Sequence, residues 1–466
     1  MVVMKFGGTS VADAVCIRRV ADIVKSRLER RPVLVLSAMG DTTDHLLEAG
    51  ALAYHKAQVS TGVIERLHLE TIQNLGLGAA EGEIVPLLDE LKSLLTGISQ
   101  IRELSRRTRD YLLSFGERFS VRIVAAYLAA LGITAKAFDS WELGFVSDSN
   151  YTVAEISGES WNLIPEKVLP LVEGGVLPVV TGFIARDAAG TITTLGRGGS
   201  DLSATMIAAA CNAEEVQIWK DVDGILTADP RIVKNAKPVE TVTYEEAAEL
   251  AYFGAQVLHP RAMQPCMKTG TPVLVKNSYN AAAPGTRIVS SPEKRTLPVR
   301  AITSRKSITL VDIVSTRMLG QYGFLAEVFS SFARHHISVD MVATSEVSVS
   351  LTLDTVNDLS ALKEELSRIA SVELRQGKAI VTIVGNVKRS SEILARAFRT
   401  CEFLGVPVQM VSQGASKVNI SFIVEDTEAE DVVRALHIDF FDRLEVPEPG
   451  GGPSGNEGKA GNEDKE

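Results

Sequence analysis

A cluster of glycine and hydroxyl residues near the start of the chain has the composition of an anion-binding turn. It runs from Lys5 to Ser10, with glycines at positions 7 and 8, between an apolar strand and a helix. Glycines let backbone N–H groups approach an anion closely, and the helix start adds partial positive charge. This is not a Walker A loop, because the lysine precedes the glycines. The pattern predicts a phosphate cradle, and for two glycines alone an ordinary turn with a solvated lysine is an equal alternative.

A second cluster surrounds an arginine with glycines. Three glycines flank Arg197, and Ser200 and Asp201 follow before an apolar helix. Arginine is the natural bidentate partner of a carboxylate. The cluster therefore predicts a carboxylate site at a helix N-terminus. The alternative is that Ser200 or Asp201 serves only as the helix N-cap.

A third cluster ends a strand with charged residues. Lys220 and Asp221 come directly after an apolar run, and Arg231 follows a turn rich in Asp and Gly. Charged side chains at the carboxyl edge of a sheet suit contacts with a nucleotide or with magnesium. A plain turn is an equal alternative for this cluster alone.

Other polar residues carry weaker signals. Ser37 follows an apolar strand in a further turn of small residues, while Glu117 lies beside a glycine where spacing alone favours a solvated helix position. Four arginines form a pattern that favours a solvated basic surface over a ligand site: Arg102, Arg106, Arg107 and Arg109. The glycine clusters, with Lys5 and Arg197, together describe a site that holds two anions close to each other. A kinase acting on a carboxylate must have such a site.

The elements that position these residues follow from the pattern of apolar runs. Short β-branched runs alternate with helical patterns up to about residue 288, which predicts an α/β domain with a largely parallel, two-sided sheet. Four of the runs are Val33–Leu36, Val176–Val180, Val216–Trp219 and Pro272–Val275. The stretch from Leu46 to Leu131 is helical in character, and we expect it to form a lid or subdomain on that sheet.

An internal repeat predicts the architecture of the second half. Shifting the sequence by 69 positions pairs Phe329 with Phe398, and Met341 with Met410, without a gap. Each copy has the order strand, helix, strand, strand, helix, strand, which predicts two ferredoxin-like βαββαβ modules. The predicted division is a catalytic domain at 1–289, a linker at 290–298, modules at 299–376 and 377–446, and a disordered acidic tail rich in Gly and Pro at 447–466.

Composition excludes several classes of protein. The 466 residues carry a formal net charge of −10, which disfavours general binding to nucleic acid or to an anionic membrane. No apolar run reaches the 18 or so residues that span a bilayer, so we expect a soluble protein. The four cysteines are far apart, which favours a reducing compartment and disfavours a structural zinc site. Neither a signal peptide nor a transit peptide is expected at the start of the chain.

The motifs together resemble one family. Residues 5–10, 194–201 and 253–260 are similar to the signatures of aspartokinases in the amino-acid kinase superfamily, and the resemblance extends to about Leu444. The repeated modules resemble ACT domains, and residues 324–329 and 338–346 are similar to those of lysine-responsive members. Residues 276–280 and 317–323 resemble the monofunctional, plant-like branch. The resemblance implies an amino-acid kinase fold, with a mostly parallel sheet between helices, followed by two ACT modules.

The resemblance also implies an activity and roles for individual residues. The reaction is transfer of the ATP γ-phosphoryl group to the β-carboxylate of L-aspartate, giving 4-phospho-L-aspartate, the first step of lysine, threonine and methionine biosynthesis. The implied catalytic residues are Lys5, Arg197 and Asp201. The implied ATP-binding residues are Lys5, Gly7, Gly8, Ser37, Lys220, Asp221, Arg231 and Gln256. The implied aspartate-binding residues are Ser37, Thr43, Glu117, Arg197, Ser200 and Asp201.

Regulation is expected in the first module. The second copy keeps the apolar frame but lacks the polar, acidic set, so the first copy alone is expected to bind the effector. The implied effector residues are Met318, Gln321, Ser338, Val339, Asp340, Thr344, Ser345 and Glu346. L-Lysine is the expected effector, and S-adenosylmethionine is a candidate second effector. The alternative is that both copies are only interface modules.

Further expectations concern partners and location. Mg-ATP is expected as the phosphoryl donor, with magnesium brought by ATP rather than held in a dedicated protein site, and no tightly bound organic cofactor is expected. No nucleic acid and no membrane is expected as a partner. A homodimer or higher homo-oligomer through the ACT modules is expected. The expected location is cytoplasmic, or the plastid stroma for a mature plant or algal form.

Two positions depart from the better-known bacterial pattern. Leu226 stands where a tyrosine often lies against the nucleotide, and Gln256 stands where a lysine is usual. The alternatives to an aspartate kinase are another kinase of the superfamily and a catalytically inactive amino-acid sensor.

Overall fold

An eight-stranded, mostly parallel sheet forms the centre of the amino-terminal part of the protein. The computed structural model describes residues 1–252, 258–291, 298–315, 322–354, 358–385, 387–413 and 418–442. The strand order is β3-β5-β2-β1-β8-β10-β11-β9, and only the β10–β11 pair among them is antiparallel. A small sheet has the order β4-β6-β7. The strands are β1 (Val2–Phe6), β2 (Pro32–Leu36), β3 (Ala135–Phe138), β4 (Val146–Ser147), β5 (Leu177–Thr181), β6 (Ile184–Asp187), β7 (Ile192–Thr194), β8 (Glu215–Lys220), β9 (Thr241–Thr243), β10 (Val273–Asn277) and β11 (Thr286–Val289).

Helices cover both faces of this sheet. Val2, Met4 and Phe6 of β1 pack into a core with α1 to α5, whereas Val3 packs into a second core with α6 to α9. Side chains alternate between the two faces of a strand, so a strand buried on both faces is apolar throughout. The helices are α1 (Ala14–Lys25), α2 (Thr42–Lys56), α3 (Gly62–Leu75), α4 (Glu81–Ile101), α5 (Arg106–Ala130), α6 (Ser160–Glu173), α7 (Gly199–Ala210), α8 (Tyr244–Tyr252) and α9 (Pro260–Thr269). The predicted α/β architecture and the helical stretch from 46 to 131 are confirmed.

The carboxy-terminal part is one antiparallel sheet of six strands with four helices. The strand order is β13-β14-β12-β15-β17-β16. The strands are β12 (Val299–Val314), β13 (Val342–Thr344), β14 (Ser348–Leu353), β15 (Ser371–Gly385), β16 (Met410–Gln413) and β17 (Asn419–Glu425). The helices are α10 (Phe324–Arg334), α11 (Ser360–Leu366), α12 (Ser390–Leu404) and α13 (Ala429–His437). Two ferredoxin-like modules therefore lie side by side in a continuous sheet.

The two modules share their longest strands. The second half of β12 pairs with β14, and Val311 packs in the first module's core with Val328. The first half of β12 pairs instead with the second half of β15, and Ile302 packs with Ile393 and Val432 of the second module. The predicted assignment of residues 299–376 to the first module does not match this packing. The first half of β12 lies within that range, but it is the edge strand of the second module.

The second module also packs against the amino-terminal part. Ala228 and Val233 belong to the same core as α12 and α13. Thr227 Oγ1 lies 2.9 Å from Nε2 of the buried His437, and the Ile302 N–H donates to Thr227 O at 2.8 Å. The segment after Lys220 is thereby attached to the carboxy-terminal part of the molecule.

Several expectations lie outside the described residues. They concern Gln256, Met318 and Gln321, most of the predicted linker, and the tail at 447–466. Within the described ranges, no helix has both the length and the apolarity needed to cross a membrane.

Candidate active site

A cavity of about 350 Å³ lies where the strands β1 and β2 end. In open α/β sheets, ligands bind beyond the carboxyl ends of the parallel strands, because glycine turns and helix N-termini converge there. The cavity is lined by residues of β1, of the turns after β1, β2, β5 and β7, and of the helices α2, α5 and α7: Lys5, Gly8, Ser37, Ala38, Gly40, Thr43, Glu117, Phe183, Gly196, Gly198, Gly199, Ser200 and Asp201. The structure therefore brings together most of the predicted catalytic and aspartate-binding residues.

Three charged side chains form a group beside this cavity, in which Lys5 and Asp201 are buried and Lys220 is half-buried. Lys5 Nζ lies 2.6 Å from Asp201 Oδ1, and Lys220 Nζ lies 3.4 Å from Asp201 Oδ2. Burial would raise the pKa of Asp201, but the charges of Lys5 and Lys220 outweigh it and hold that pKa below its ordinary value. Burial lowers the pKa of Lys220, although Asp201 opposes this. Two cations share one carboxylate, so the group carries an excess positive charge that suits an anionic ligand.

Glu117 projects from α5 into the same cavity. Its side chain is buried, and its Oε1 accepts a hydrogen bond of 3.1 Å from the Ala38 N–H. Its other oxygen, Oε2, is buried and has no hydrogen-bond partner among the described residues. Burial raises the pKa of Glu117 to about 8. The interpretation from spacing alone, a solvated helix residue, is wrong, because the sheet and α5 together enclose a position that local spacing cannot distinguish.

At two positions near the cavity, neighbouring atoms lie so close to the backbone that only glycine fits. A Cβ atom on Gly8 would lie 2.8 Å from Ala38 O, so no larger residue fits between the first two turns. Gly198 has φ +73, and a Cβ there would lie 2.8 Å from His259 Cβ. Gly8 therefore permits the turns after β1 and β2 to meet, and Gly198 permits the turn after β7 to lie against the start of α9.

The structure leaves some predicted site residues away from the cavity. Arg197 is exposed and does not line it, although both neighbouring glycines do. Arg231 is 87% exposed and pairs with Asp229 at 2.6 Å. Asp221 is exposed, and Gly7 donates its N–H to Trp219 O at 3.3 Å rather than facing the cavity. None of these four residues lines the cavity.

Sequence reasoning missed residues that hold the Arg197 turn in place. Asp110 is fully buried and accepts three hydrogen bonds, from the Thr152 N–H and from the N–H and hydroxyl of Thr194, at 2.8–2.9 Å. Arg261 donates to Leu195 O at 3.0 Å. The sequence signal available for Asp110 was its position, since it is an acidic residue between a group of four arginines and an apolar stretch.

A second missed support holds the first glycine turn. Ser278 Oγ lies 2.8 Å from Ser10 Oγ, and the Tyr279 hydroxyl donates to Thr9 O at 2.9 Å. Both residues follow β10, which pairs with β8. The turn after β10 therefore braces the turn after β1.

The predicted effector residues are divided between the surface and the interior. Asp340 has a buried side chain that lies 3.5 Å from Arg305 Nη1, and Val339 is half-buried. The remaining described members are exposed: Ser338, Thr344, Ser345 and Glu346. The predicted effector residues therefore comprise several exposed polar groups and one buried carboxylate that pairs with a partly exposed arginine.

The described residues contain no group of three or more His, Cys, Asp or Glu side chains placed to hold a metal ion. In the cavity the carboxylates are Glu117 and Asp201, and both oxygens of Asp201 face lysines.

Comparisons with known proteins give consistent matches over nearly the whole chain. A family model described as the amino acid kinase family matches residues 1–277, and one described as an ACT domain matches residues 311–363 and 381–440. Aspartokinase 1, chloroplastic, of Arabidopsis thaliana is 48% identical over 96% of this chain and 81% of its own length. Lysine-sensitive aspartokinase 3 of Escherichia coli is 37% identical over 95% of this chain and 99% of its own.

Solved structures match in the same way. E. coli aspartokinase III in complex with aspartate and ADP has a TM-score of 0.78 at 36% identity, over 95% of this chain and 100% of that one. The complex of that protein with lysine and aspartate has a TM-score of 0.79 at 36% identity, over 95% and 99%.

Proposed function

This chain belongs to the aspartokinase family and is an aspartate kinase, and we propose that the cavity lined by Lys5, Glu117 and Asp201 is where it transfers the γ-phosphoryl group of ATP to the β-carboxylate of L-aspartate. The observation that carries this proposal is the pairing of an excess of positive charge with a buried glutamate in one cavity. The first feature suits phosphates, and the second suits an ammonium group.

The nucleophile needs no general base. A free aspartate side chain has a pKa near 3.9 and is already ionised at neutral pH. The difficulty is repulsion, since two like unit charges about 4 Å apart cost roughly 1 kcal/mol in water and roughly 4 kcal/mol at an effective dielectric of 20. Catalysis therefore depends on cations and oriented N–H groups that act on a loose, nearly in-line transition state.

Lys5 and Lys220 are proposed to neutralise the phosphates. Asp201 orients both lysines, because each of its oxygens faces one of them. Magnesium enters as the counter-ion of ATP, which fits a donor set in which the Asp201 oxygens are already engaged. Gly8 and Ser37 lie at the cavity and are proposed to approach the nucleotide. Further proposed nucleotide contacts are Gly7, Asp221, Arg231 and Gln256.

Aspartate is proposed to bind at the other end of the cavity. Glu117 Oε2 would accept the substrate ammonium, and Arg197 would swing from its exposed position to clamp the α-carboxylate. Thr43 and Ser200 line the space between them. The helical stretch α2 to α5 is proposed to close over the site and protect the hydrolysable acyl phosphate from water. Unchanged hydrogen exchange in that stretch on adding both substrates would count against closure.

Trapping the acyl phosphate tests this assignment. ATP, magnesium, hydroxylamine and a panel of amino acids are supplied, and hydroxamate is measured. We expect product with L-aspartate, loss of product in Arg197→Ala, and retention in Arg106→Ala, an exposed arginine away from the cavity. Product with glutamate instead would support another kinase of the superfamily, and no product with any amino acid would support an inactive sensor.

Feedback regulation by L-lysine through the first ACT module is proposed as well. The first module has exposed polar groups at Ser345 and Glu346, in the turn between β13 and β14, and a buried Asp340 side chain just before β13, while the second module lacks this set. The complex of E. coli aspartokinase III with lysine and aspartate supports the choice of effector. Activity that lysine does not inhibit, with and without S-adenosylmethionine, would refute it, and Glu346→Gln should weaken inhibition without changing the uninhibited rate.

Assembly, pathway and location are proposals that follow from the family. We infer a homodimer or higher homo-oligomer through the ACT modules, and a role at the start of lysine, threonine and methionine biosynthesis. Plastid stroma is the proposed location for a plant or algal source, since the Arabidopsis relatives are chloroplastic by name, and cytoplasm otherwise. Sedimentation of the full chain tests the assembly.

A further inference from the structure

A second cavity lies apart from the aspartate kinase site. It has a volume of about 560 Å³, and none of its lining residues lines the first cavity. One wall is the first turns of α5 together with Leu94 of α4, and the other is the hairpin that joins β6 to β7. The volume is sufficient for a small organic molecule.

Two arginines define the charge of this cavity. Arg107 lies in the first turn of α5, and Arg186 lies on β6 with its guanidinium carbon 4.1 Å from the centre of the Trp141 ring. Arg186 is half-buried, and its buried Nε has no hydrogen-bond partner among the described residues. No ion pair joins either arginine to a carboxylate within the described ranges.

The nearest carboxylates are engaged elsewhere. Asp187 follows Arg186 in β6, but it accepts hydrogen bonds from the N–H groups of Ala189 and Thr191 at 2.8–3.1 Å. Successive side chains of a strand point to opposite faces, so Asp187 and Arg186 diverge. Glu90 bonds to the Tyr111 hydroxyl and pairs with Arg118 at 3.2 Å. Neither arginine of the cavity is therefore ion-paired with a carboxylate in the described part of the protein.

The rest of the wall is both hydroxylic and apolar. Ser105 and Thr108 provide hydroxyl groups at the start of α5, and Leu94, Tyr111 and Ile192 provide apolar surface. Guanidinium groups and a helix N-terminus favour carboxylate and phosphate oxygens. A ligand that binds both the polar and the apolar side chains of the cavity therefore has an anionic group and an apolar portion.

We propose that this cavity binds a small organic anion that carries a carboxylate or phosphate group next to an apolar portion. The ligand bridges α5, which carries Glu117, and β7, which leads into the Arg197 turn. Both elements reach the active site, so the cavity is a regulatory input separate from the ACT modules. The basic pattern at residues 102–109 is exposed as predicted, and Arg107 in addition lines this cavity.

Fluorine NMR of the full chain labelled with 5-fluorotryptophan tests the proposal. The protein has three tryptophans, and Trp141→Phe identifies the resonance of the ring that stacks on Arg186. Phenyl phosphate and benzoate are the anionic probes, and benzamide is the neutral one. We expect a saturable shift of the Trp141 resonance with at least one anion and none with benzamide. The two anions distinguish phosphate from carboxylate recognition.

Variants locate the binding. Arg107→Met or Arg186→Met should weaken the anion at least about tenfold, because each removes a charge-assisted hydrogen bond. Arg106→Met, an exposed neighbour outside the cavity, should leave binding unchanged. Lys5→Met, which disables the first cavity, should also leave it unchanged. An unmoved Trp141 resonance, an equal response to benzamide, or equal weakening by Arg106→Met and Arg107→Met would overturn the proposal.

Discussion

Aspartate binding should be coupled to loss of a proton from Glu117. The residue is buried in the cavity with a pKa of about 8, so it is mostly protonated at pH 7 while the cavity has no substrate. A substrate ammonium needs the ionised form. Ionising a group one unit below its pKa costs about 1.4 kcal/mol, and this cost disappears as the pH rises through 8. Aspartate should therefore bind more tightly at higher pH.

The size of the effect follows from the fraction ionised. Between pH 6.5 and pH 8.5 that fraction rises about 25-fold for a pKa of about 8, and KM for aspartate should fall by about the same factor. Below about pH 9 the substrate ammonium itself stays charged. Isothermal titration of aspartate at pH 7, in two buffers of different ionisation enthalpy, should show release of about 0.9 proton per site.

Glu117→Gln isolates this effect. The amide oxygen retains the bond from the Ala38 N–H, but the variant has no charge to gain or lose. The KM of this variant for aspartate should not vary with pH. At pH 8.5 it should exceed the KM of the parent by at least about 30-fold, because the variant loses a buried charge pair that contributes about 2 kcal/mol or more to binding. Near pH 6.5 the two proteins should have similar KM values. Glu103→Gln, on an exposed carboxylate, is the matched control.

Two results would refute the reasoning. One is a KM for aspartate that stays constant from pH 6.5 to 8.5 in the parent protein. The other is the same pH dependence in Glu117→Gln as in the parent, which would assign the titration to another group.

Three further predictions concern buried polar groups. Asp201→Asn leaves Lys5 and Lys220 without their shared counter-charge, so kcat should fall at least about 100-fold, and steady-state kinetics showing less than a tenfold loss would contradict this. Asp110→Asn cannot accept all three hydrogen bonds of the parent, so the free energy of unfolding should fall by about 2 kcal/mol in urea titrations; an unchanged value would show that the bonds do not hold the turn. Burial lowers the pKa of His68 to about 4, below its ordinary 6.5, so stability should decrease by about 3 kcal/mol as the pH falls from 6.5 to 4. His68→Asn should flatten that dependence, and an equally steep loss in the variant would assign it to other groups.

The sequence was sufficient to predict elements whose pattern is local. The apolar runs at Val33–Leu36 and Val216–Trp219 lie within β2 and β8, and the glycine turns lie at the cavity as expected. Buried strands and glycine turns have a signature within a few residues, because backbone conformation and two-sided burial act at that range.

Features set by long-range packing could not be predicted in this way. Glu117 has the spacing of a solvated residue and is buried only because α5 lies over the end of β2. Arg231 stands next to a motif but pairs with Asp229, since an exposed side chain meets its nearest opposite charge. The division of β12 between two modules depends on pairing partners distant in sequence, which hydrophobic periodicity does not specify.

The shared strand also sets an order of events during synthesis. Val299 and Ile302, apolar residues of the first half of β12, leave the ribosome a whole module before their pairing partners Gly385 and Ile383. The first module can close as soon as the first half of β15 has emerged, whereas the second must wait for α12, β17 and α13. Until then a nascent chain exposes apolar side chains of this strand beside the finished catalytic domain. A chain truncated after β15 therefore leaves this strand without the core that buries it, so deleting the second module is expected to make the remainder prone to aggregation.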